Sequence, residues 1–230
     1  SGATPTISID ATSSSVCSLN AGIVTFNTSG TCLIEADSAS STNYNAASTA
    51  SQSITVAKIV QTITFALPTG SNFGDSNRTM NASTTSGLAI SYSEGADTTN
   101  SACTVSSSGV VAILAVGNCQ VTASQSGNSQ YSAATPVSRT FAVSAIVPSA
   151  PFLTSVSAGN ASATVSFTAP SSNGGATISA YEVVAIPSSG SNVVKSTCSA
   201  SASPLACTLS GPTHALTNGV SYTFKVAAIN

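Results

Sequence analysis

Six cysteines and one histidine are the residues of this chain best suited to crosslinking, metal binding or nucleophilic chemistry. Cys17, Cys32, Cys103, Cys119, Cys198 and Cys207 fall into three local pairs along the sequence. That clustering favours Cys17–Cys32, Cys103–Cys119 and Cys198–Cys207 over longer-range pairings. Closing a loop of about 15 residues restricts the unfolded chain by roughly 3 kcal/mol. Zinc is the rival chemistry, and it calls for Cys-x-x-Cys knuckles or interleaved histidines. No Cys-x-x-Cys occurs, and His214 stands alone in the turn-like stretch Gly211-Pro212-Thr213-His214. Stable disulfides form in oxidising compartments, so the expected location is extracellular or on a cell surface. Ser1-Gly2-Ala3-Thr4-Pro5 has neither a charged start nor an apolar run, so a leader has been removed or the segment is internal.

Other chemistries are poorly supplied. A hydrolase needs a nucleophile beside a base, and neither a Gly-x-Ser-x-Gly elbow nor a partner for His214 is present. The carboxylates Asp10, Glu35, Asp37, Asp75, Glu94, Asp97 and Glu182 are dispersed. Glu35 with Asp37, or Glu94 with Asp97, could each contribute to a weak cation site, but the Asp-x-Asp-x-Asp spacing of a calcium loop is missing. No cofactor, metal or catalytic residue is expected. Five Lys and Arg against seven Asp and Glu give a net charge of -2. That is too little positive charge to hold nucleic acid or an anionic membrane, and no apolar run is long enough to span a bilayer. Asn27, Asn77, Asn81 and Asn160 fit the N-glycosylation pattern, which chance supplies in so Ser/Thr-rich a chain.

The elements that carry these cysteines read as strands. Hydrophobic residues make up 42% of the chain and fall in short clusters rich in Val, Ile and Ala, unlike the apolar-poor composition of disorder. Aromatics are only 5%, without Trp, so cores built from these residues are thin and benefit from staples. Ile23-Val24-Thr25-Phe26 and Val110-Val111-Ala112-Ile113 are β-prone runs, and Cys119-Gln120-Val121-Thr122-Ala123 alternates as a half-buried strand does. Gly30 and Gly117 each stand shortly before a second cysteine, where a tight turn is expected.

A duplication organises the first two thirds. Cys32 and Cys119 are offset by 87 residues, and so are Tyr44 and Tyr131, in Asn43-Tyr44-Asn45-Ala46-Ala47 and Gln130-Tyr131-Ser132-Ala133-Ala134. The same register relates the closing strands Ser53-Ile54-Thr55-Val56 and Thr140-Phe141-Ala142-Val143. Ile7-Ser8-Ile9 is aligned with Leu88-Ala89-Ile90-Ser91-Tyr92. On that alignment the first copy lacks the opening strand that the second carries from Gln61 to Gly87. After Val147-Pro148-Ser149-Ala150-Pro151, a short stiff linker, the pattern changes.

The paired cysteines, the Asn/Gln-Tyr-x-Ala-Ala motif and the closing strand resemble bacterial immunoglobulin-like repeats that occur in tandem in very large surface proteins. The Gly174-Gly175 turn before Ala180-Tyr181-Glu182-Val183, and the run Leu216, Gly219, Tyr222, Phe224, Val226, are similar to a fibronectin type III domain. The resemblance implies an all-β chain of three consecutive Ig-like and fibronectin type III β-sandwich domains at 1–58, 59–146 and 147–230. It also implies that the first lacks its N-terminal strand and the last its final strand. Tyr222 would be a corner tyrosine tying a loop to the sandwich edge, and Phe167 stands where that family often has Trp. Tyr44 and Tyr131 read as structural tyrosines, with ligand platforms as the alternative.

The expected function is a structural extracellular spacer, stalk or fibre segment. Its expected partners are neighbouring domains of the same chain and, through strand exchange at open edges, further copies in a fibre. Two other classes stand beside it: an adhesin module gripping glycans or a host surface, and an accessory region of a secreted enzyme or phage structural protein.

Overall fold

The computed structural model describes residues 4–190 and 192–230. Their backbone is almost wholly strand and turn, with a single 3-10 turn at Ala11–Ser13. Two compact units emerge: Ser1–Ala66 with Asn81–Tyr92 and Thr122–Ser138, and Leu67–Met80 with Ser93–Val121 and Arg139–Asn230.

In the first unit, β1 (Thr6–Ile9), β4 (Gly30–Asp37) and β5 (Ala50–Val56) form an antiparallel sheet with β4 central. β2 (Cys17–Asn20) and β3 (Ile23–Phe26) pair as a hairpin whose Ala21-Gly22 turn has φ of 47° and 81°. Such a turn needs the left-handed region, which glycine adopts freely. Directly opposed residues share a sheet face, so Ile7 with Ala36, Ile9 with Ile34, and Cys32 with Ile54 define one apolar face. Cys17 reaches Cys32 on that face from the hairpin. The only side chains of the first copy buried below a tenth exposure, among the described residues, are Ser13, Cys17 and Cys32. The staple is almost the whole core. The same unit holds β6 (Ile63–Phe65) paired with β9 (Ala82–Thr84), and Phe65 lies edge-on to Tyr92 at 6.0 Å.

In the second unit, β8 (Arg78–Thr79), β11 (Cys103–Val105) and β12 (Val110–Ile113) form a sheet in the order β11-β12-β8. β10 (Ser91–Glu94), β13 (Gly117–Ser124), β14 (Val137–Ser144) and β7 (Ser71–Asn72) make a four-stranded sheet in the order β10-β13-β14-β7, of which residues 93–94, 117–121, 139–144 and 71–72 belong to this unit. β13 shows the expected alternation, with Cys119, Val121 and Ala123 buried. Val111, Phe141, Val143 and Met80 are buried too, so the second copy has a far fuller core than the first.

Residues 152–229 of this unit form two facing sheets. β15 (Phe152–Gly159), β16 (Ser162–Thr168) and β19 (Ala206–Leu209) make one, in that order. β18 (Val194–Ser199), β17 (Ala180–Pro187) and β20 (Tyr222–Ile229) make the other. Val165 and Phe167 from β16, Tyr181, Val183 and Ala185 from β17, and Cys207 and Leu209 from β19 share one buried cluster. Phe167 lies 4.8 Å from Tyr181, ring to ring. This is a β-sandwich core.

The hydrogen bonds fix the register that the sequence alignment of Ile7–Ile9 on Leu88–Tyr92 leaves open. Asp10 N donates to Leu33 O and Gly95 N to Gln120 O, and Leu33 and Gln120 are 87 apart. Asp10 therefore matches Gly95 and Ile7 matches Tyr92, the last residue of the aligned run Leu88–Tyr92. Leu88–Ile90 lies outside any strand. Short apolar runs align equally well in several registers by eye, and backbone pairing selects one of them.

Candidate functional site: staples and joints

The structure joins Cys17 to Cys32, Cys103 to Cys119 and Cys198 to Cys207, with Cα separations of 5.8, 5.6 and 5.7 Å. All lie within the span a disulfide bridges. The glycines before the second cysteines begin strands rather than sit inside tight turns: Gly30 opens β4 and Gly117 opens β13, with φ of 144° and 153°. A Cβ on Gly117 would lie 2.8 Å from Thr99 O, and one on Gly30 would lie 2.8 Å from Val16 Cγ2. Both the backbone angle and the close neighbour require glycine there. Gly117→Ala is expected to cost about 2 kcal/mol, read as a lower denaturation midpoint with unchanged disulfide content.

Between residues 144 and 152 the chain leaves the strands, yet it is tied down. Ile146 N donates to Gly174 O at 2.9 Å, Ser149 N to Ser172 O at 3.0 Å, and Ser172 N to Ser149 Oγ at 3.0 Å. The Asn230 side-chain amide donates to Ile146 O at 2.9 Å and to Asn173 O at 2.7 Å. Gly174 and Gly175 adopt φ of 72° and 89°. A Cβ on Gly175 would lie 2.6 Å from Phe73 Cγ and 2.8 Å from Val116 Cγ2. The Gly-Gly turn thus seats against residues from before the linker. Sequence reading sees only a strand-connecting turn, and it attributes the linker's stiffness to proline. Main-chain hydrogen bonds tie the linker to the 172–174 loop, while Val147 stays exposed. Gly175→Val should loosen this joint without unfolding either side. The expected readout is increased nanosecond amide mobility by NMR relaxation at Val147–Ala150, with strand dispersion retained.

A second tie lies within the first unit. Ile59 N donates to Gln130 O at 2.9 Å and Ser132 N to Ile59 O at 3.0 Å, flanking Tyr131. Gln61, buried, donates to Gln125 Oε1 at 2.6 Å and to Ser132 O at 2.7 Å. The Asn128 side chain accepts from Gln130 N and Tyr131 N, both at 2.8 Å, and sets the loop's shape. The Tyr-x-Ala-Ala loop at 131–134 is where the incoming linker docks. Tyr44, its counterpart, is 59% exposed and makes only a local bridge to Ser41. Similar sequence motifs therefore have unequal surroundings: Ile59 and Gln61 bond the 130–132 loop, while Tyr44 stays exposed.

Tyr222 begins β20, and its hydroxyl accepts from Thr217 N at 2.9 Å, five residues upstream. Asp10 accepts from the Thr12 hydroxyl and, at 2.9 Å, from Thr12 N, and these bonds, the hydroxyl first, hold its carboxyl below the ordinary value. Any stability it adds is present above the ordinary carboxylate range and lost as pH falls through the lowered value.

The remaining polar residues are used locally. His214 bonds Thr213 within its turn, Asp97 accepts from Gln120 at 2.6 Å, and Glu182 pairs with Lys195 at 3.4 Å on the surface. Among the described residues no three His, Cys, Asp or Glu converge as metal ligands. A cleft of about 320 Å³ between β15 and β20 is lined by Val156, Ala158, Leu216, Tyr222 and Phe224 and carries no charged side chain. Among the described residues no helix is long and apolar enough to cross a membrane.

No protein-family model matches the sequence, and no curated protein matches it. Among solved structures, a run of domains from titin is 16% identical at a TM-score of 0.34, covering 98% of this chain and 83% of that one. The FN1-FN3 domains of chicken CNTN1 are 12% identical at a TM-score of 0.32, covering 87% and 70%. Likeness at that level defines neither family nor activity. What the coordinates define is an all-β chain whose polar and covalent features hold strands, loops and linkers in place.

Proposed function

We propose that this chain is a structural extracellular segment: a spacer, stalk or fibre piece of a large bacterial surface or filament-forming protein. On this reading it consists of three modules at 1–58, 59–146 and 147–230, each crossed by one disulfide. The observation that carries the proposal is the tied linker, where Ile146 and Ser149 are bonded to the 172–174 loop and Gly175 seats against Phe73 and Val116. A linker that served only to connect would have no need of such a seat. The local disulfides support an oxidising location, and the bacterial setting rests on the repeat resemblance.

Such a segment works by resisting extension. Each bridge hides the residues between its cysteines from a stretching force. Pulling single molecules from both ends tests this. Without reductant, the length released should be shorter by roughly 50 Å for the 15-residue separation, ~55 Å for 16 and ~30 Å for 9. Reductant should restore those lengths. Smooth extension with no unfolding steps would contradict a mechanical role.

A further inference from the structure

The three disulfides differ in how the fold encloses their sulfurs. Cys17, Cys32, Cys103 and Cys119 are each 0% exposed. In both of those bridges one cysteine stands on an interior strand: Cys32 on β4, between β1 and β5, and Cys119 on β13, between β10 and β14. The third bridge is placed otherwise. Among the described residues, Cys198 lies on β18, whose only sheet neighbour is β17, and Cys207 lies on β19, whose only sheet neighbour is β16. It therefore joins the edge strand of one sheet to the edge strand of the other, across the side of the sandwich. Residues 200–205 connect the two strands directly, so this open side belongs to the module itself.

The two halves of that bridge have different settings. Cys207 lies opposite Val165, inside the buried cluster, and is 2% exposed. Cys198 lies opposite Tyr181 at the margin of the cluster and is only half-buried. Of the six cysteines, Cys198 alone meets solvent to more than a few per cent. A thiolate opens a disulfide by approaching one sulfur along the S–S axis, from the side away from the other sulfur, so access to that sulfur governs the rate. With Cys207 enclosed behind it, Cys198 is the half that an incoming thiolate can reach.

We propose that Cys198–Cys207 is an exchange site for small-molecule thiols, with Cys198 the sulfur attacked. The incoming thiolate bonds to Cys198 Sγ, the Cys198–Cys207 bond breaks, and its electron pair leaves on Cys207 Sγ, which takes a proton from water. The products are a mixed disulfide at Cys198 and a thiol at Cys207, so the exchange needs no further oxidant or reductant. The sandwich keeps its core when the bridge opens, because Val165, Phe167, Tyr181, Val183 and Leu209 remain packed together. Exchange at Cys198 is thus a reversible modification of a folded domain. It rests on strand position and burial, and it holds whether or not the chain bears load.

The test incubates the oxidised 230-residue chain with reduced glutathione at neutral pH, quenches samples over time, caps free thiols by alkylation and maps each cysteine by peptide mass spectrometry. The expected result is opening of Cys198–Cys207 roughly tenfold or more faster than either other bridge, while the amide spectrum stays dispersed. Glutathione caught on the chain at early times should be on Cys198, with the alkyl cap on Cys207. In denaturant the preference should shrink to about threefold or less, because the fold no longer shields the other sulfurs. Equal rates at the three bridges of the folded chain would overturn the proposal, as would earlier opening of Cys17–Cys32 or Cys103–Cys119. Glutathione on Cys207 in place of Cys198 would overturn the assignment of the attacked sulfur. An undiminished preference in denaturant would also overturn it, since local sequence rather than burial would then set the order.

Discussion

Replacing Cys17 and Cys32 together by alanine is expected to unfold residues 5–56 at room temperature while residues 61–229 keep their native signals. A 15-residue loop loses roughly 3 kcal/mol of restraint when its bridge is removed. A small domain has only a few kcal/mol in reserve, and here the two cysteines are also its fully buried apolar side chains. Removing them takes away the crosslink and the core at once. The matching change at Cys103 and Cys119 removes a similar restraint from a copy that still buries Met80, Val111, Val121, Phe141 and Val143. That copy should weaken by about 3 kcal/mol and stay folded. Backbone amide spectra of the two double variants separate the cases. Loss of dispersion confined to 5–56 in the first, and none in the second, is the expected pattern. Equal behaviour would mean that the disulfides do not carry unequal shares of the two folds.

Phe167→Ala should be the most costly single core change, destabilising residues 152–229 by about 3–5 kcal/mol. Phe167 is buried at the centre of the C-terminal sandwich, against Tyr181 and among Val165, Val183 and Leu209. Those neighbours are held by two different sheets, and β-branched side chains on paired strands cannot collapse into the space an aromatic ring leaves. For a domain of this size the loss corresponds to a fall in thermal midpoint of roughly 12–40 °C. Phe167→Leu keeps most of the volume and should cost less than half as much. A shift of only a few degrees for the alanine variant would show that the cluster is looser than its burial implies.

These effects could be anticipated to different degrees from sequence. The all-β class was legible because short Val/Ile/Thr runs alternate with turn residues, and Ile23–Phe26, Val110–Ile113 and Ala180–Val184 do form strands. The alternation at Cys119, Val121 and Ala123 also gave their inward face. The joint at Gly174-Gly175 was not legible. A glycine pair signals permitted backbone angles, but nothing local records that Phe73, a hundred residues earlier, presses on it. The contrast between Tyr44 and Tyr131 was hidden for the same reason. Matching motifs carry no information about whether a distant linker lies on them. The register of Ile7 against Tyr92 depended on backbone pairing, which short apolar runs leave open.

The central claim is that the linker at 145–151 is a fixed joint. Spin labels at the exposed residues Ser108 and Ser189, on either side of it, test this most directly through the distance distribution measured in frozen solution. A single narrow distribution that broadens in Gly175→Val is the predicted result. A broad distribution in the unsubstituted chain, unchanged by Gly175→Val, would contradict it.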